Sequence, residues 1–234
     1  AKKIKKKHFE FDLIFSANTF SHIHNLKESL DCINVLLSNK GTFILEDPSL
    51  LKVILNTAYD QFYDEHIFVF STLALTKLLK KHNLEITKIQ NIDTHGGSNR
   101  YYINRIGLKK IDKSVIKNIK LEKKYKLDKI SSYKKFSKRV KDSKKKLRKI
   151  FIILKNKNKK IVGYGASAKS TLIFNFCKLT KQEVPYFIDS TKDKQNKYLP
   201  GVKIKINKQV KKIPNNIDYF FLGAWNFYKE IKLK

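Results

Sequence analysis

Methionine is absent from these 234 residues, and cysteine nearly so. Cys32 and Cys177 stand far apart, which argues against a disulfide framework or a Cys-x-x-Cys zinc site and favours a reducing, cytoplasmic compartment. No apolar run reaches membrane-spanning length, and the basic start lacks the apolar region of a signal peptide, so we expect no membrane partner. The missing initiator methionine leaves two interpretations, a processed start at Ala1 or a fragment of a longer chain.

Acidic residues are also few, 20 against 51 lysines and arginines, and the formal net charge is +31. Only four of the basic residues are arginines, which leaves 47 lysines. Arginine is the side chain that reads phosphate and guanine bidentately, so a surplus made of lysine is more typical of a biased coding composition than of a dedicated nucleic-acid site. We therefore expect no specific nucleic-acid partner. Hydrophobic residues make up 41%, which supports a packed core.

Short apolar runs alternate with helical periodicities through the first hundred residues, which predicts an α/β fold. The predicted strands are 11–15, 41–45, 84–92 and 100–106. The predicted helices are 26–37, 49–58 and 72–82. Asn39, Lys40 and Gly41 are expected to stop the first of these helices.

Lysine is dense between residues 109 and 160, where glycine and proline are absent. Apolar residues recur there at helical spacing, which predicts one long amphipathic helix, or two in series, with lysines facing solvent. A second α/β unit follows, with strands predicted at 161–162, 184–188 and 218–222 and a helix at 170–179. We therefore divide the chain into 1–108, 109–159 and 160–234.

Tyr63, Glu65 and His66 bring a phenol, a carboxylate and an imidazole within four residues. Histidine titrates near neutrality, so His66 is suited to accept a proton, with a carboxylate to orient its ring and a tyrosine to donate to an oxyanion. A polar surface turn explains these residues equally well. His22 follows the first predicted strand, where α/β sheets bind ligands. A metal pair with His24 lacks an evident third ligand, so helix capping or packing is the simpler interpretation.

Glycines mark two further candidate sites. Gly96 and Gly97, next to His95, permit either a close approach to a ligand or simply a tight turn before a strand. Residues 163–170 read Gly-Tyr-Gly-Ala-Ser-Ala-Lys-Ser between a strand and a helix, an order suited to holding a phosphate on helix amides. This stretch has alanine where a P-loop has its second glycine, and it partly matches a dinucleotide fingerprint with Asp189 as the later acidic residue.

Taken together, these segments resemble the S-adenosylmethionine-dependent C-methyltransferases that act on nucleotide-activated keto-sugars. The matching motifs stand in that family's order along nearly the whole chain. They are residues 18–23 (Asn-x-x-x-His-Ile), 63–66 (Tyr-x-Glu-His), 95–100 (His-Gly-Gly-Ser-x-Arg), 163–169 (Gly-Tyr-Gly-Ala-x-Ala-Lys), 198–201 (Tyr-Leu-Pro-Gly) and 224–227 (Ala-Trp-Asn-Phe).

The resemblance implies a class I methyltransferase domain followed by a helical connector and a Rossmann-like C-terminal domain. The family's N-terminal zinc domain has no counterpart here, so no zinc is expected on these residues. The resemblance also implies that this chain is a fragment that lacks the glycine-rich loop for S-adenosylmethionine and stops before its last domain is complete. The implied substrate is a nucleotide-diphosphate sugar.

By the same resemblance, a base removes a proton beside the ketone and the resulting enolate attacks the sulfonium methyl group. His66 is the expected base and Glu65 its orienting partner, while Tyr63 and His22 hydrogen-bond the substrate oxygens. The residues expected to bind the substrate are His95, Arg100, Gly163, Gly165 and Lys169. Asn18 is the candidate for cofactor contact.

Two other functions stay open on the sequence alone. A basic nucleic-acid-binding module would use the lysine-rich helical segment, and its affinity would fall steeply with salt. A nicotinamide-dependent oxidoreductase would depend on residues 163–168 alone. The methyltransferase explains many segments, whereas each alternative explains one.

Overall fold

The computed structural model describes residues 1–208 and 216–232, and the chain divides into two compact units. The first unit comprises residues 1–59 and 64–136, and the second comprises residues 60–63 and 137–234. Each unit is built on a four-stranded sheet with helices beside it. The α/β class predicted from the sequence is therefore confirmed.

The sheet of the first unit contains one reversed strand. Its strands are β1 (Phe11–Ala17), β2 (Leu37–Pro48), β3 (Leu84–Ile92) and β4 (Ser98–Arg105), in the order β1-β2-β4-β3. β1 and β2 are parallel, and β4 runs antiparallel to both β2 and β3. The carboxyl ends of the three co-directional strands and the amino end of β4 therefore lie at one edge of the sheet.

Five helices accompany this sheet. They are α1 (Lys2–His8), α2 (Leu26–Leu36), α3 (Leu50–Asn56), α4 (Thr72–Lys80) and α5 (Lys113–Lys124). α4 and α5 both pack on β3 and on each other. Glu122 of α5 is fully buried and accepts hydrogen bonds from the N–H groups of Thr72 and Leu73 at 2.7 and 2.8 Å. A carboxylate thus satisfies the positive end of α4 and fixes α5 against it.

The expected helix stop at Gly41 is wrong, because Gly41 lies inside β2. α2 ends at Leu36, and Leu37 is already extended, with φ −78° and ψ 125°. Leu37 is fully buried, and a Cβ on Gly41 would lie 2.8 Å from Leu37 Cδ1 and 2.9 Å from Phe11 O. Burial of Leu37 therefore starts the strand early, and the glycine allows close packing within it.

One face of β1 is open to solvent in this structure. Phe11, Leu13 and Phe15 alternate along the strand and are 37%, 58% and 55% exposed, whereas Ile14 points the other way and packs against the core. Alternation in a strand puts the three exposed residues on the same face. The exposed face of β1 is therefore apolar.

The second unit has a fully parallel sheet. Its strands are β5 (Ile161–Tyr164), β6 (Tyr186–Asp189), β7 (Lys205–Lys208) and β8 (Tyr219–Leu222), in the order β7-β6-β5-β8. Two helices follow strands of this sheet, α7 (Ala168–Cys177) and α8 (Tyr228–Lys232). β7 was not predicted, because its lysines leave Ile206 as its one buried residue and give no apolar run.

The lysine-rich segment forms two helices in series, α5 and α6 (Ile130–Asn156), which was one of the two alternatives left open. The first turns of α6 group with the first unit and the remainder with the second. Phe151 is 5% exposed and packs in the second core together with Leu147 and Leu154. The apolar stripe read from the sequence is therefore a packing surface.

Candidate active site

Three of the predicted motifs meet at one edge of the first sheet. Residues 18–22 follow the carboxyl end of β1, and residues 95–97 lead into the amino end of β4. Pro48 at the end of β2 is paired with Ser98, which places that turn at the same edge. The third motif, residues 63–66, contributes His66. The ring of His66 lies edge-to-face against that of His22, with centroids 5.0 Å apart.

The loop that carries His22 is anchored by backbone and by packing. Asn18 turns the chain with a left-handed φ of 50°, and its N–H donates to Glu46 O at 2.8 Å. Phe20 is 2% exposed, and its ring centroid lies 5.7 Å from that of Phe43 in β2. A short 3-10 helix, Phe20–His22, then carries the imidazole just beyond this buried anchor.

The segment that follows His66 is tied to the same loop. The N–H groups of Ile67 and Phe68 both donate to Ser21 O, at 3.0 and 3.1 Å. Ser21 directly precedes His22 in the chain. One residue therefore connects the two histidines, and their ring contact follows from these backbone bonds.

The remaining members of the 63–66 motif are distributed differently. Glu65 is exposed beside His66, and Tyr63 is half-buried and belongs to the second unit. The structure thus brings His22 and His66 together, and the roles of Tyr63 and Glu65 stay predictions. His24 is exposed. Among residues 1–208 and 216–232, no group of three or more His, Cys, Asp or Glu side chains is placed to hold a metal ion.

The turn at residues 95–97 needs its glycines. His95 and Gly97 both have positive φ, 54° and 117°. A Cβ on Gly97 would lie 2.8 Å from Lys52 Cγ, so only glycine fits there without movement. Gly97 O accepts from the N–H of Ser49 at 3.1 Å, which joins this turn to the residue that follows β2.

Arg100 is paired with a buried carboxylate. Glu46 of β2 lies opposite Arg100 of β4 in the strand register, and Arg100 Nε and Nη2 each lie 2.7 Å from Glu46 Oε2. Glu46 is only 6% exposed, and the side chain of Arg100 is 33% exposed. A role for Arg100 in substrate binding would therefore have to be shared with this ion pair.

Two buried oxygens at this edge, Asn18 Oδ1 and Asp47 Oδ2, accept no hydrogen bond from any residue that the structure describes. Asp47 is 1% exposed, and its other oxygen accepts from the Ser21 hydroxyl at 2.7 Å. Burial raises the pKa of Asp47 to about 6, although the hydrogen bond from Ser21 opposes the rise. Asp47 lies one residue before the carboxyl end of β2, and His22 follows the carboxyl end of β1. The sequence analysis did not use this position of Asp47.

In the second unit, the glycines of the 163–170 stretch fit closely against neighbouring atoms. A Cβ on Gly163 would lie 2.4 Å from the ring of Phe187 in β6. Gly165 has a φ of 82°, and a Cβ on it would lie 3.2 Å from Ala224 Cβ. Packing and backbone conformation are thus sufficient reasons for glycine at both positions.

Asp189 is engaged by the loops of its own unit. Its Oδ2 accepts from the N–H of Ala166 and its Oδ1 from the N–H of Thr191, both at 2.8 Å. The acidic residue of a dinucleotide fingerprint binds a ribose instead. The spacing between the glycines and Asp189, which suggested a nicotinamide enzyme, therefore has a structural explanation. Asp189 accepts a hydrogen bond from the turn that contains the glycines.

Lys169 lies in a polar cluster of the second unit. It is 7% exposed, and its Nζ lies 5.2 Å from the ring centroid of Trp225 and 3.5 Å from Asn226 Oδ1. Burial lowers the pKa of Lys169, and the charge of Asp60 opposes that effect. Asp60 is 4% exposed and accepts from Trp225 Nε1 at 2.5 Å. Sequence reasoning included Trp225 only as part of a motif and missed Asp60.

Replacing Gly163 by alanine is expected to destabilise the protein by about 2 kcal/mol, because the new methyl group would displace the fully buried Phe187 ring. Urea unfolding of the wild type and Gly163→Ala measures the loss. Phe187→Leu makes room for the methyl group, so the double variant should lose less stability than the two single variants add up to. Wild-type stability of Gly163→Ala would refute the packing explanation.

None of the helices in the described part of the chain combines the length and the apolar composition that crossing a bilayer requires. The net charge of +31 is carried largely by lysines, and the helices α5 and α6 that hold many of them also pack their apolar sides within the two units.

Comparisons with known proteins match both units of the chain. A model of a methyltransferase domain matches residues 1–89, and a model of the C-methyltransferase C-terminal domain matches residues 93–234. C-methyltransferase NovU of Streptomyces niveus is 28% identical over 230 residues, which are 98% of this chain and 55% of that protein. The chain therefore spans about half the length of this curated relative.

The fold and these matches together define the class of the chain, that of proteins with methyltransferase-family domains. More particularly, the chain belongs to the family of proteins with a C-methyltransferase C-terminal domain, whose model covers more than half of its residues. The resemblance found in the sequence is confirmed at this level.

Proposed function

We propose that the protein transfers a methyl group from S-adenosylmethionine to a carbon atom beside the ketone of a nucleotide-activated sugar. The observation that carries this proposal is the contact between His66 and His22, which follows the carboxyl end of β1. Parallel sheets bind ligands where such strands end, and the two imidazoles supply a proton acceptor and a hydrogen-bond partner for the substrate.

His66 is proposed to remove the proton. A C–H bond beside a ketone is acidic enough for a neutral imidazole to act as general base, and histidine titrates in the right range. His22 lies against His66 and is proposed to hydrogen-bond the oxygen on which negative charge develops. Glu65 would orient the base, and Tyr63 would donate a second hydrogen bond to the substrate.

S-adenosylmethionine supplies an electrophilic methyl group when it is bound. Asn18 fits a contact with such a ligand, because its buried Oδ1 has no donor among the residues that the structure describes. We therefore propose Asn18 as a contributor to the cofactor site.

Further residues are proposed to bind the substrate. His95 and Arg100 are proposed to bind the sugar, and Gly163, Gly165 and Lys169 the diphosphate. The ammonium group of Lys169 is buried against the ring of Trp225. Cys32 and Cys177 are not joined in a disulfide, which fits the cytoplasmic location that we also propose.

Methyl transfer to keto-sugar nucleotides tests this function. The protein as its gene encodes it would be incubated with labelled S-adenosylmethionine and a panel of nucleotide-linked keto-sugars, with product masses measured. We expect one methyl group to be added to a ring carbon beside the ketone. The matched substrate with the ketone reduced to an alcohol should not react, because its C–H bond is not acidified. Equal methylation of the reduced substrate, or no reaction with any keto-sugar, would rule the proposal out.

A further inference from the structure

Ser21 uses both of its oxygen atoms to connect three segments of the candidate site. Its carbonyl oxygen accepts from the N–H groups of Ile67 and Phe68, directly after His66. Its hydroxyl donates to Asp47 Oδ1 at 2.7 Å. Both Ser21 and Asp47 are only 1% exposed, so water does not compete for these bonds.

The sheet holds Asp47 in place. It lies in β2, which is hydrogen-bonded on both sides, to β1 and to β4. Phe20 adds an apolar anchor next to Ser21, because its ring lies 5.7 Å from Phe43 of β2 and 6.3 Å from Phe70. The sheet therefore fixes the position of Ser21. The bonds of Ser21 in turn hold the segments that carry His22 and His66.

We infer that Ser21 and Asp47 are positioning residues that hold His22 and His66 in contact. Neither needs to touch the substrate, since each acts through the two histidine-bearing segments. The catalytic consequence rests on the proposed function, in which His66 is the base. A displacement of a reacting group by about 1 Å can cost about a hundredfold in rate, so a lost hydrogen bond at Ser21 is expected to matter for turnover.

Ser21→Ala removes the hydroxyl donor and leaves the carbonyl acceptor in place. We expect kcat to fall by about 10- to 100-fold, while the dissociation constant for S-adenosylmethionine stays within about twofold. The matched control is Ser38→Ala. Ser38 donates to Asp12 Oδ1 at the same distance of 2.7 Å and also joins β2 to β1, but at the opposite ends of these strands and near the surface. Its kcat should stay within about twofold of the wild type.

Substitutions of Asp47 separate its role as acceptor from its charge. Asp47→Asn keeps an oxygen that can accept from Ser21, so its kcat should stay within about threefold of the wild type. Asp47→Ala removes the acceptor for both the hydroxyl and the N–H of Ser21, so it should lose at least as much as Ser21→Ala does. The double variant Ser21→Ala/Asp47→Ala should lose no more than Asp47→Ala alone, because Asp47→Ala already breaks the bond to the hydroxyl. A kcat for Asp47→Asn as low as that for Asp47→Ala, or strictly additive losses, would overturn the inference.

The histidine rings give a readout that does not depend on the reaction. In nuclear magnetic resonance spectra, the ring signals of His22 and His66 should both shift in Ser21→Ala and stay unchanged in Ser38→Ala. Unchanged histidine signals in Ser21→Ala would overturn the inference even if activity fell. If His66→Asn retained turnover, the assignment of His66 as the base would fail instead, and the histidine signals would still decide the positioning role. Should Ser21→Ala not fold, Asp47→Asn and Asp47→Ala supply the same comparison of kcat and ring signals.

Discussion

Replacing His66 by asparagine is expected to lower kcat about a thousandfold and to leave the binding of S-adenosylmethionine unchanged. Asparagine keeps a polar side chain but cannot accept a proton near neutral pH, and general base catalysis contributes about 10²- to 10⁴-fold. The ring of His66 lies against His22, so the loss of the imidazole also removes that contact. Steady-state kinetics and calorimetric titration with the cofactor measure the two quantities separately.

His24→Asn is the matched control for this experiment. His24 is an exposed histidine two residues after His22, and it takes no part in the proposed chemistry. Its kcat should stay within about twofold of the wild type. Near-normal turnover in His66→Asn would remove His66 as the base. An equal loss in both variants would mean that the effect is not specific to that position.

The second large effect is on the pH dependence of stability, through Asp47. Burial raises the pKa of Asp47 from its usual 3.8 to about 6, which corresponds to about 3 kcal/mol. The folded protein holds this proton more tightly than the unfolded chain does. Burial of Asp47 therefore does not destabilise the protein below about pH 4. The free energy of unfolding falls as the pH rises through the pKa that Asp47 has in the folded protein. Above about pH 6, the full cost of the buried charge is present.

Asp47→Asn has no proton to lose at this position, so the variant should gain on the wild type as the pH rises. The difference between their free energies of unfolding is expected to grow by about 2.5 kcal/mol between pH 4 and pH 8. Asp12→Asn is the control, because Asp12 also accepts from a serine hydroxyl but is exposed and carries no burial cost. Urea unfolding at a series of pH values measures this. A difference that is constant across that range would contradict the buried, proton-holding state of Asp47.

Local signals in the sequence predicted most of the fold. Runs of apolar residues located β1, β3 and β8, and helical periodicity located α2 and α4, which the structure shows to be capped by Asn25 and Ser71. The failures arose where tertiary packing opposes a local rule. Gly41 looks like a helix stop, but burial of Leu37 starts the strand four residues earlier.

The candidate site was predictable only in part, and for a physical reason. His22 and His66 carry recognisable chemistry, and the rule that ligands bind at the carboxyl ends of parallel strands drew attention to His22. Ser21 and Asp47 are ordinary polar residues in the sequence. Their importance appears only when the fold brings residues 26 positions apart within 2.7 Å.

In the second unit, the sequence shows a motif but does not reveal what the motif is for. The motif at residues 163–169 has the order of a phosphate-binding turn, yet Gly163 is required by Phe187, and Lys169 is buried on Trp225. The sequence identifies such a motif correctly as a special backbone segment. It does not reveal whether the special geometry is needed for a ligand or for packing, because both need glycine at the same positions.

Exchange of the substrate's C–H hydrogen with solvent measures the proton abstraction itself. The nucleotide-linked keto-sugar would be incubated in deuterium oxide with the wild type or with His66→Asn, with S-adenosylhomocysteine in place of the methyl donor. We expect the wild type to place deuterium on the carbon beside the ketone and His66→Asn to do so at least about a hundredfold more slowly. Equal rates in the two proteins would show that His66 is not the base at this site.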